Sequence, residues 1–198
     1  MRIDPNIIFT KTGSVELLKS DIDVDFIADV ARGCKYGAAT PTKTKKENDA
    51  FIAGLWRVGH RSVFEHCHVT MRITCPIFVA RQLMRYRTFS YTEKSLRSTA
   101  PARARGDGIV DTLQNAAVDA YDALIAQGWH KEDARAVLTL NTQTCYTFTA
   151  DVRNLLNMLK ERTGAGVQSE TRDVAEAIIK LLQMTEPRFM DAVSHVVF

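Results

Sequence analysis

The residues best able to do chemistry in this chain of 198 residues crowd into one stretch, from Gln82 to Arg97. Arg85 and Arg87 stand one residue apart, a spacing that no single helix face accommodates. They either diverge or mark a helix end, where two guanidinium groups close on a ligand from different sides. Ser90, Glu93, Ser95 and Arg97 add hydroxyl donors, one carboxylate and a third guanidinium. Such a set suits a nucleotide. Guanidinium forks take phosphate oxygens, hydroxyl and backbone N–H groups take the remaining ones, and a carboxylate takes a sugar hydroxyl or ring N–H. A solvated basic loop has the same composition, so the stretch alone leaves both readings open.

Charge distribution sharpens the expectation. Arg81, Arg85, Arg87, Lys94, Arg97, Arg103 and Arg105 share a window whose only acids are Glu93 and Asp107. The whole chain carries only +3, too little for a general nucleic-acid binder, so a discrete anion such as a phosphate is the expected partner. Two further groups are weaker. His60, Glu65, His66 and His68 offer metal-ligand types, yet no zinc spacing completes them, and no metal is expected. Arg135, Arg153, Asn157, Arg162, Gln168 and Glu170 form a C-terminal set, with Arg153 and Asn157 on one helix face; taken alone, surface ion pairing is the better reading of them. The sequence holds no G-x-S-x-G, P-loop or G-x-G-x-x-G, and no cysteine beside an obvious base. An enzyme with many arginines and no nucleophile points to a cofactor for the difficult chemistry.

The elements that must position these residues read as follows. Ile7 to Thr10 is a short strand. Val24 to Lys35 and Glu47 to Val58 show helical spacing, the second with Phe51, Ile52, Leu55 and Trp56 on one face. His66 to Thr74 alternates as a half-buried strand, with His66 and His68 on one side. Pro76 opens a helix that runs on through Arg87, placing Gln82 and Arg81 on a face with Arg85, and Phe78, Val79, Leu83 and Tyr86 toward the core. A long polar loop follows from Thr88 to Gly108, a length that is functional or disordered in compact domains. Helices are predicted at Val110 to Ala126, Lys131 to Leu138, Val152 to Arg162 and Glu170 to Met184, with a β-like interruption at Thr144 to Thr149. The hydrophobic content is 45% and the charged content 25%, which fits one globular α+β domain. No apolar run reaches the length of a membrane span, no signal peptide is evident, and the four scattered cysteines suit free thiols in a reducing cytoplasm.

These blocks resemble the flavin-dependent thymidylate synthases. HRSVFEH, a strand, PIFVARQ and then RYRTFSYTEKSLRS follow that family's order. Its R-H-R-x-x-S-x-N-E-x-S-x-R-Y motif is matched at Arg85, Arg87, Ser90, Glu93, Ser95 and Arg97. Downstream, ARAVLTL supplies Arg135, and DVRNLLNMLKERTGAGVQSETRDVA supplies Arg153, Asn157, Arg162, Gln168 and Glu170. The similarity extends from about residue 50 to 185.

The resemblance implies an α+β domain of the thymidylate synthase-complementing type, with a central, mostly antiparallel sheet flanked by long helices. It implies methylation of dUMP to dTMP, with FAD as redox carrier, methylenetetrahydrofolate as carbon donor and NADPH as reductant. Gln82, Leu83, Met84, Arg85, Glu93, Lys94, Ser95, Leu96, Arg97, Arg135 and Arg162 would hold dUMP. Arg162 would act catalytically by polarising the uracil ring. His60, Ser62, Arg85, Tyr86, Arg87, Glu93, Asp151, Arg153 and Asn157 would contact FAD. A homotetramer with active sites shared between subunits is implied as well. Four departures stand out. Tyr86 replaces the motif's central histidine, Ser98 its final tyrosine, Asp151 a usual asparagine, and Gly166 a frequent histidine. A tyrosine still stacks and donates a hydrogen bond, but it does not become cationic near neutral pH. A relative making a different C5-modified pyrimidine, such as a hydroxymethyl product, and an inactive nucleotide-binding homologue are the competing expectations.

Overall fold

In chain order, the computed structural model places strand β1 at Ile7–Phe9, β2 at Ser14–Ser20, helix α1 at Val24–Tyr36 and α2 at Lys45–Arg57. A 3-10 turn at Ser62–His66 leads into β3 at His68–Pro76, α3 at Ile77–Leu83 and β4 at Ser90–Glu93. Then come α4 at Ile109–Ala126, the single turn α5 at Lys131–Ala134 with a 3-10 turn at Arg135–Val137, and β5 at Gln143–Asp151. Helices α6 at Val152–Arg162, α7 at Ser169–Thr185 and α8 at Pro187–Val197 complete the chain. The structure describes residues 5–38, 41–104 and 108–198; the Arg105 and Asp107 of the basic window lie outside them.

The five strands form one antiparallel sheet in the order β1-β2-β3-β5-β4, in agreement with the expected architecture. β3 and β5 pair along their whole length, from His68 opposite Asp151 to Pro76 opposite Gln143. Their alternation sends Val69, Met71, Ile73 and Cys75 with Tyr146, Phe148 and Ala150 into the core. Leu155, Leu156 and Leu159 of α6 and Val174, Ile178, Leu181 and Leu182 of α7 are buried in the same core cluster. Outward-facing Thr70 and Thr149 share a hydroxyl hydrogen bond of 2.9 Å. Gly13, between β1 and β2, runs so close to β3 that a Cβ there would meet the Thr74 carbonyl oxygen at 1.8 Å.

Several expectations are corrected. The segment around Thr144–Thr149 is an inner strand of nine residues rather than an interruption. His66 belongs to the 3-10 turn, so it does not share a strand face with His68. β2 and α8 were not anticipated. β2 carries a bulge between Leu17 and Lys19 that disturbs its alternation. α8 starts on Pro187 and is tied to the helices before it by Arg188, whose guanidinium reaches Asp25 at 2.7 and 2.8 Å and Asp49 at 2.9 Å.

The correction that matters most for function concerns α3. It ends at Leu83 rather than continuing through Arg87, so Arg85 shares no helix face with Arg81 and Gln82. Packing from distant residues stops the helix. Phe89 turns inward and stacks on Phe148 of β5, with ring centroids 5.3 Å apart. The Tyr91 hydroxyl lies 3.1 Å from both the Leu83 and the Tyr86 carbonyl oxygens and shares its proton between them. Of the two alternatives for Arg85 and Arg87, the helix end is the one realised. Both arginines are exposed, while Tyr86 between them is half-buried against the core.

Candidate active site

An open cleft of about 640 Å³ lies where α3, the end of β4 and the Arg135–Leu140 segment meet. Arg81 and Met84 of α3 form one wall, and Glu93, Lys94, Ser95 and Leu96 form the second. Arg135, Leu138, Thr139 and Leu140 close the third. Each wall has a visible local cause. The Lys94 amide donates to the Cys145 carbonyl at 2.8 Å, fixing the chain as it leaves β4. Beyond it, the Thr99 amide and hydroxyl donate to the Ser95 carbonyl at 3.1 and 2.7 Å, and the Arg97 amide donates to the Ser95 hydroxyl at 3.3 Å. These bonds turn the Ser95–Thr99 segment into a compact loop. The third wall is held from behind by buried Gln114 of α4, whose Oε1 accepts from the hydroxyls of Thr139 and Thr142. The carbonyls of Thr142 and Leu140 in turn accept the first amides of α3, at Ile77 and Phe78. The helix start is therefore satisfied by protein and joins the two walls together.

Glu93 is the one carboxylate in the lining, set against Arg81, Lys94 and Arg135. Its Oε1 accepts a 2.7 Å hydrogen bond from the hydroxyl of Thr144, a β5 residue only 2% exposed. A buried hydroxyl thus aims an exposed carboxylate. Arg81 makes no hydrogen bond or ion pair among the described residues, and Arg135 uses only its Nε, toward the Glu132 carbonyl at 3.1 Å. The cleft is cationic, with guanidinium and ammonium donors free for an anionic ligand.

Six of the eleven residues expected to hold dUMP line this cleft: Met84, Glu93, Lys94, Ser95, Leu96 and Arg135. The other five do not. Leu83 is buried in the core, and the Gln82 amide bonds Gln168 at 2.5 Å. Arg97 is turned to Glu132, at 2.7 Å, and that pairing holds the Glu132 carboxyl below its usual range. Arg85 is exposed at the end of α3. Arg162 ends α6 and lies over the Tyr86 ring, its Cζ 5.2 Å from the centroid. Its buried Nε has no hydrogen-bond partner among the described residues.

Apart from Glu93, which lies in the cleft, the residues expected to contact a flavin fall at two places. Arg85, Tyr86 and Arg87 follow α3, and neither arginine has a carboxylate partner among the described residues. Tyr86 stacks on Phe89 at 5.7 Å and donates its hydroxyl proton to Glu161. His60, Ser62, Arg153, Asn157 and Asp151 lie at the end of the sheet where β3 begins and β5 finishes. There Arg153 is ion-paired with Glu65 of the Ser62–His66 turn. Asp151 is the N-cap of α6, accepting from the Asn154 amide at 2.9 Å and from its side chain at 2.7 Å. Among the described residues, no three His, Cys, Asp or Glu side chains converge as a metal centre requires.

Sequence reasoning missed Arg81, Leu138, Thr139 and Leu140 as lining residues, and Thr144 and Gln114 as their supports. Arg81 carried a usable signal in the basic window. The others carried none, because their roles arise only when β5 and α4 are brought behind the cleft.

A family profile described as "Thymidylate synthase complementing protein" matches residues 16–188. Among relatives named flavin-dependent thymidylate synthase, the chain is 34% identical to that of Tropheryma whipplei (strain TW08/27), covering 81% of this chain and 80% of the relative. It is 30% identical to that of Anaplasma marginale (strain St. Maries), covering 80% of this chain and 65% of the relative. For Treponema pallidum (strain Nichols) the identity is 33%, covering 77% of this chain and 59% of the relative. The chain therefore spans under two thirds of these last two. In fold it matches a UMP/dUMP methylase, PolB from Streptomyces cacaoi, solved bound with 5-Br dUMP. That match has a TM-score of 0.80 at 24% identity, over 91% of this chain and 94% of the other. With the antiparallel sheet, the cationic cleft and a family match over nearly the whole length, the chain belongs to the thymidylate synthase complementing protein family.

Proposed function

We propose that the chain is a flavin-dependent enzyme that methylates a pyrimidine nucleotide at C5, converting dUMP to dTMP. FAD is the redox carrier in this reading, methylenetetrahydrofolate the carbon donor and NADPH the reductant. The observation that carries it is the convergence of Met84, Glu93, Lys94, Ser95, Leu96 and Arg135 on one cationic cleft, of a volume usual for small-molecule sites. Lys94 and Arg135 take the nucleotide phosphate, with the Ser95 hydroxyl as a further donor. Glu93, aimed by Thr144, accepts from a sugar hydroxyl or the ring N–H. Arg162 polarises a uracil carbonyl, a role for a guanidinium that no carboxylate neutralises.

The residues after α3 fit a flavin. Arg85 and Arg87 offer unpaired guanidinium groups for its phosphates, and Tyr86 between them carries Phe89 and Arg162 against its ring. Bound there, a flavin supplies redox chemistry that no side chain of the cluster provides. The two separate groups of flavin residues support active sites shared between subunits, in a homotetramer. Exposed Ile109, Val110 and Leu113 on α4 supply apolar surface for such contacts. No described helix is long and apolar enough to cross a membrane, and the free cysteines support a reducing cytoplasm.

A second reading, a different C5-modified product, draws on Tyr86, a neutral aromatic at the place of the motif's histidine. The fold neighbour is a UMP/dUMP methylase, so UMP joins dUMP as a test substrate. The discriminating experiment pairs the flavin absorbance of the purified protein with titration of both nucleotides. Flavin-bearing protein that binds dUMP is the expected result. Colourless protein that binds dUMP, even with added FAD, identifies an inactive nucleotide-binding homologue. Failure to bind either ligand removes the proposal.

A further inference from the structure

We infer that Tyr86 is the positioning residue for Arg162, holding its guanidinium against the ring face so that it meets the substrate in one orientation. The catalytic consequence rests on the function proposed above; the clamp itself rests on geometry. Arg162 is the last residue of α6, and the helix end behind it is pinned by the Thr163 hydroxyl, which donates to the Leu159 carbonyl at 2.9 Å. Its Cζ sits 5.2 Å from the centroid of the Tyr86 ring, within cation–π range. Its side chain is ion-paired to no carboxylate among the described residues; it also reaches the Tyr86 hydroxyl, and Nε is buried without a partner.

The ring below it is itself immobilised. Tyr86 stacks on Phe89, and Phe89 stacks on Phe148 in the middle of β5, at 5.7 and 5.3 Å. The Tyr86 hydroxyl donates to Glu161, the neighbour of Arg162. One tyrosine therefore grips both terminal residues of α6, one through its ring and one through its hydroxyl. A guanidinium paired to a carboxylate would be fixed but neutralised. A guanidinium laid on an aromatic face is fixed and keeps its full charge for a developing oxyanion.

The identity of residue 86 has a further consequence. Burial, and then the hydrogen bond to Glu161, raise the Tyr86 phenol to about 12, so the clamp does not titrate at working pH. An imidazole there becomes cationic near pH 6.5 and repels the guanidinium. This chain has a clamp that is insensitive to pH where its family's motif has a titratable ring.

The test has a spectroscopic and a kinetic arm, both on the intact protein. In ¹⁵N-arginine NMR, the Arg162 Nε–H should be shifted upfield by the ring current and should exchange slowly. Tyr86→Leu, which keeps apolar volume, and Tyr86→Ala should both return it to a random-coil position. Kinetically, Tyr86→Leu should lower kcat by about 10-fold while the dUMP Kd stays within about 3-fold, and Tyr86→Phe should lose a smaller share. A Tyr86→Leu, Arg162→Ala double variant should lose no more than Arg162→Ala alone. Tyr86→His should acquire a fall in kcat below about pH 6.5 that the wild type lacks. An unchanged Nε resonance in Tyr86→Leu, or losses that multiply in the double variant, overturns the inference. If the wild type makes no C5-modified nucleotide, the proposed function falls, while the Nε resonance still decides the clamp.

Discussion

Replacing Thr144 with valine removes one hydroxyl from the back of the cleft and leaves the shape and β-branching of the side chain intact. Thr144 is 2% exposed, and its hydroxyl donates to Glu93 Oε1 at 2.7 Å. Glu93 itself is exposed, so water takes over the lost bond, and the fold should lose only about 1 kcal/mol or less. The effect on binding is larger, because a nucleotide must then immobilise a carboxylate that the wild type holds ready. Ordering one such side chain costs about 0.5 to 1.5 kcal/mol, or about a 2- to 13-fold rise in the dUMP Kd. Calorimetric titration of Thr144→Val and Glu93→Ala, with urea denaturation of each in parallel, separates the two effects. The account expects Thr144→Val to weaken binding within that range, and to add nothing in the Glu93→Ala background, where no acceptor remains for the hydroxyl. Wild-type affinity in Thr144→Val, beside a clear loss in Glu93→Ala, would refute the idea that the buried hydroxyl aims the carboxylate.

Other consequences are equally open to measurement. Arg81→Gln should weaken dUMP binding by about 10-fold at low salt, and the gap to wild type should narrow as ionic strength rises; an unchanged Kd would remove Arg81 from the site. Arg188→Leu should lower the urea midpoint by the equivalent of about 1 to 2 kcal/mol, since it frees α8 from Asp25 and Asp49 at a half-exposed junction. Arg188 first, then Asn48, hold the Asp25 carboxyl well below the usual carboxylate range. That stability is present above about pH 4 and lost as pH falls further, so the acid limb of a stability profile should flatten in Arg188→Leu. On the alkaline side, burial is the main force raising both the Cys75 thiol and the Tyr86 phenol to about 12. Their contribution is complete below pH 9 to 10 and disappears as pH climbs toward 12. Tyr86→Phe should shorten that decline, followed by circular dichroism.

The part of the site that was legible in the sequence is the part contiguous in the chain. Glu93, Lys94, Ser95 and Leu96 leave one strand in a single turn, so their order alone brings them to one wall. Arg135 lies far along the chain, stood out only as one of a C-terminal set, and was joined to the nucleotide residues only through the family resemblance. Arg97 matched the same motif, yet it faces Glu132, a partner supplied by a helical turn that no local pattern connects to it. The alternation of β3 was plain because its buried positions are all apolar. β5 sets the aromatic residues Tyr146 and Phe148 among threonines only in its middle and ends on Gln143 and Asp151, so only that middle read as a strand. The end of α3 was illegible for a different reason: helix propensity continues past Leu83, and the chain turns because Phe89 and Tyr91 find partners elsewhere. Asp151 shows how one residue supports two readings. Matched to the family it is a flavin contact, and in the fold both its carboxylate oxygens are engaged in capping α6.

The central claim is that the cationic cleft holds a pyrimidine nucleotide whose C5 gains a methyl group. Mass spectrometry of the nucleotide tests it most directly, after the purified protein is incubated with dUMP, FAD, methylenetetrahydrofolate and NADPH under reducing conditions. The account predicts a product heavier than dUMP by one CH₂, lost in Arg162→Ala. A product carrying an additional oxygen, or unchanged dUMP with flavin bound and NADPH consumed, would contradict it.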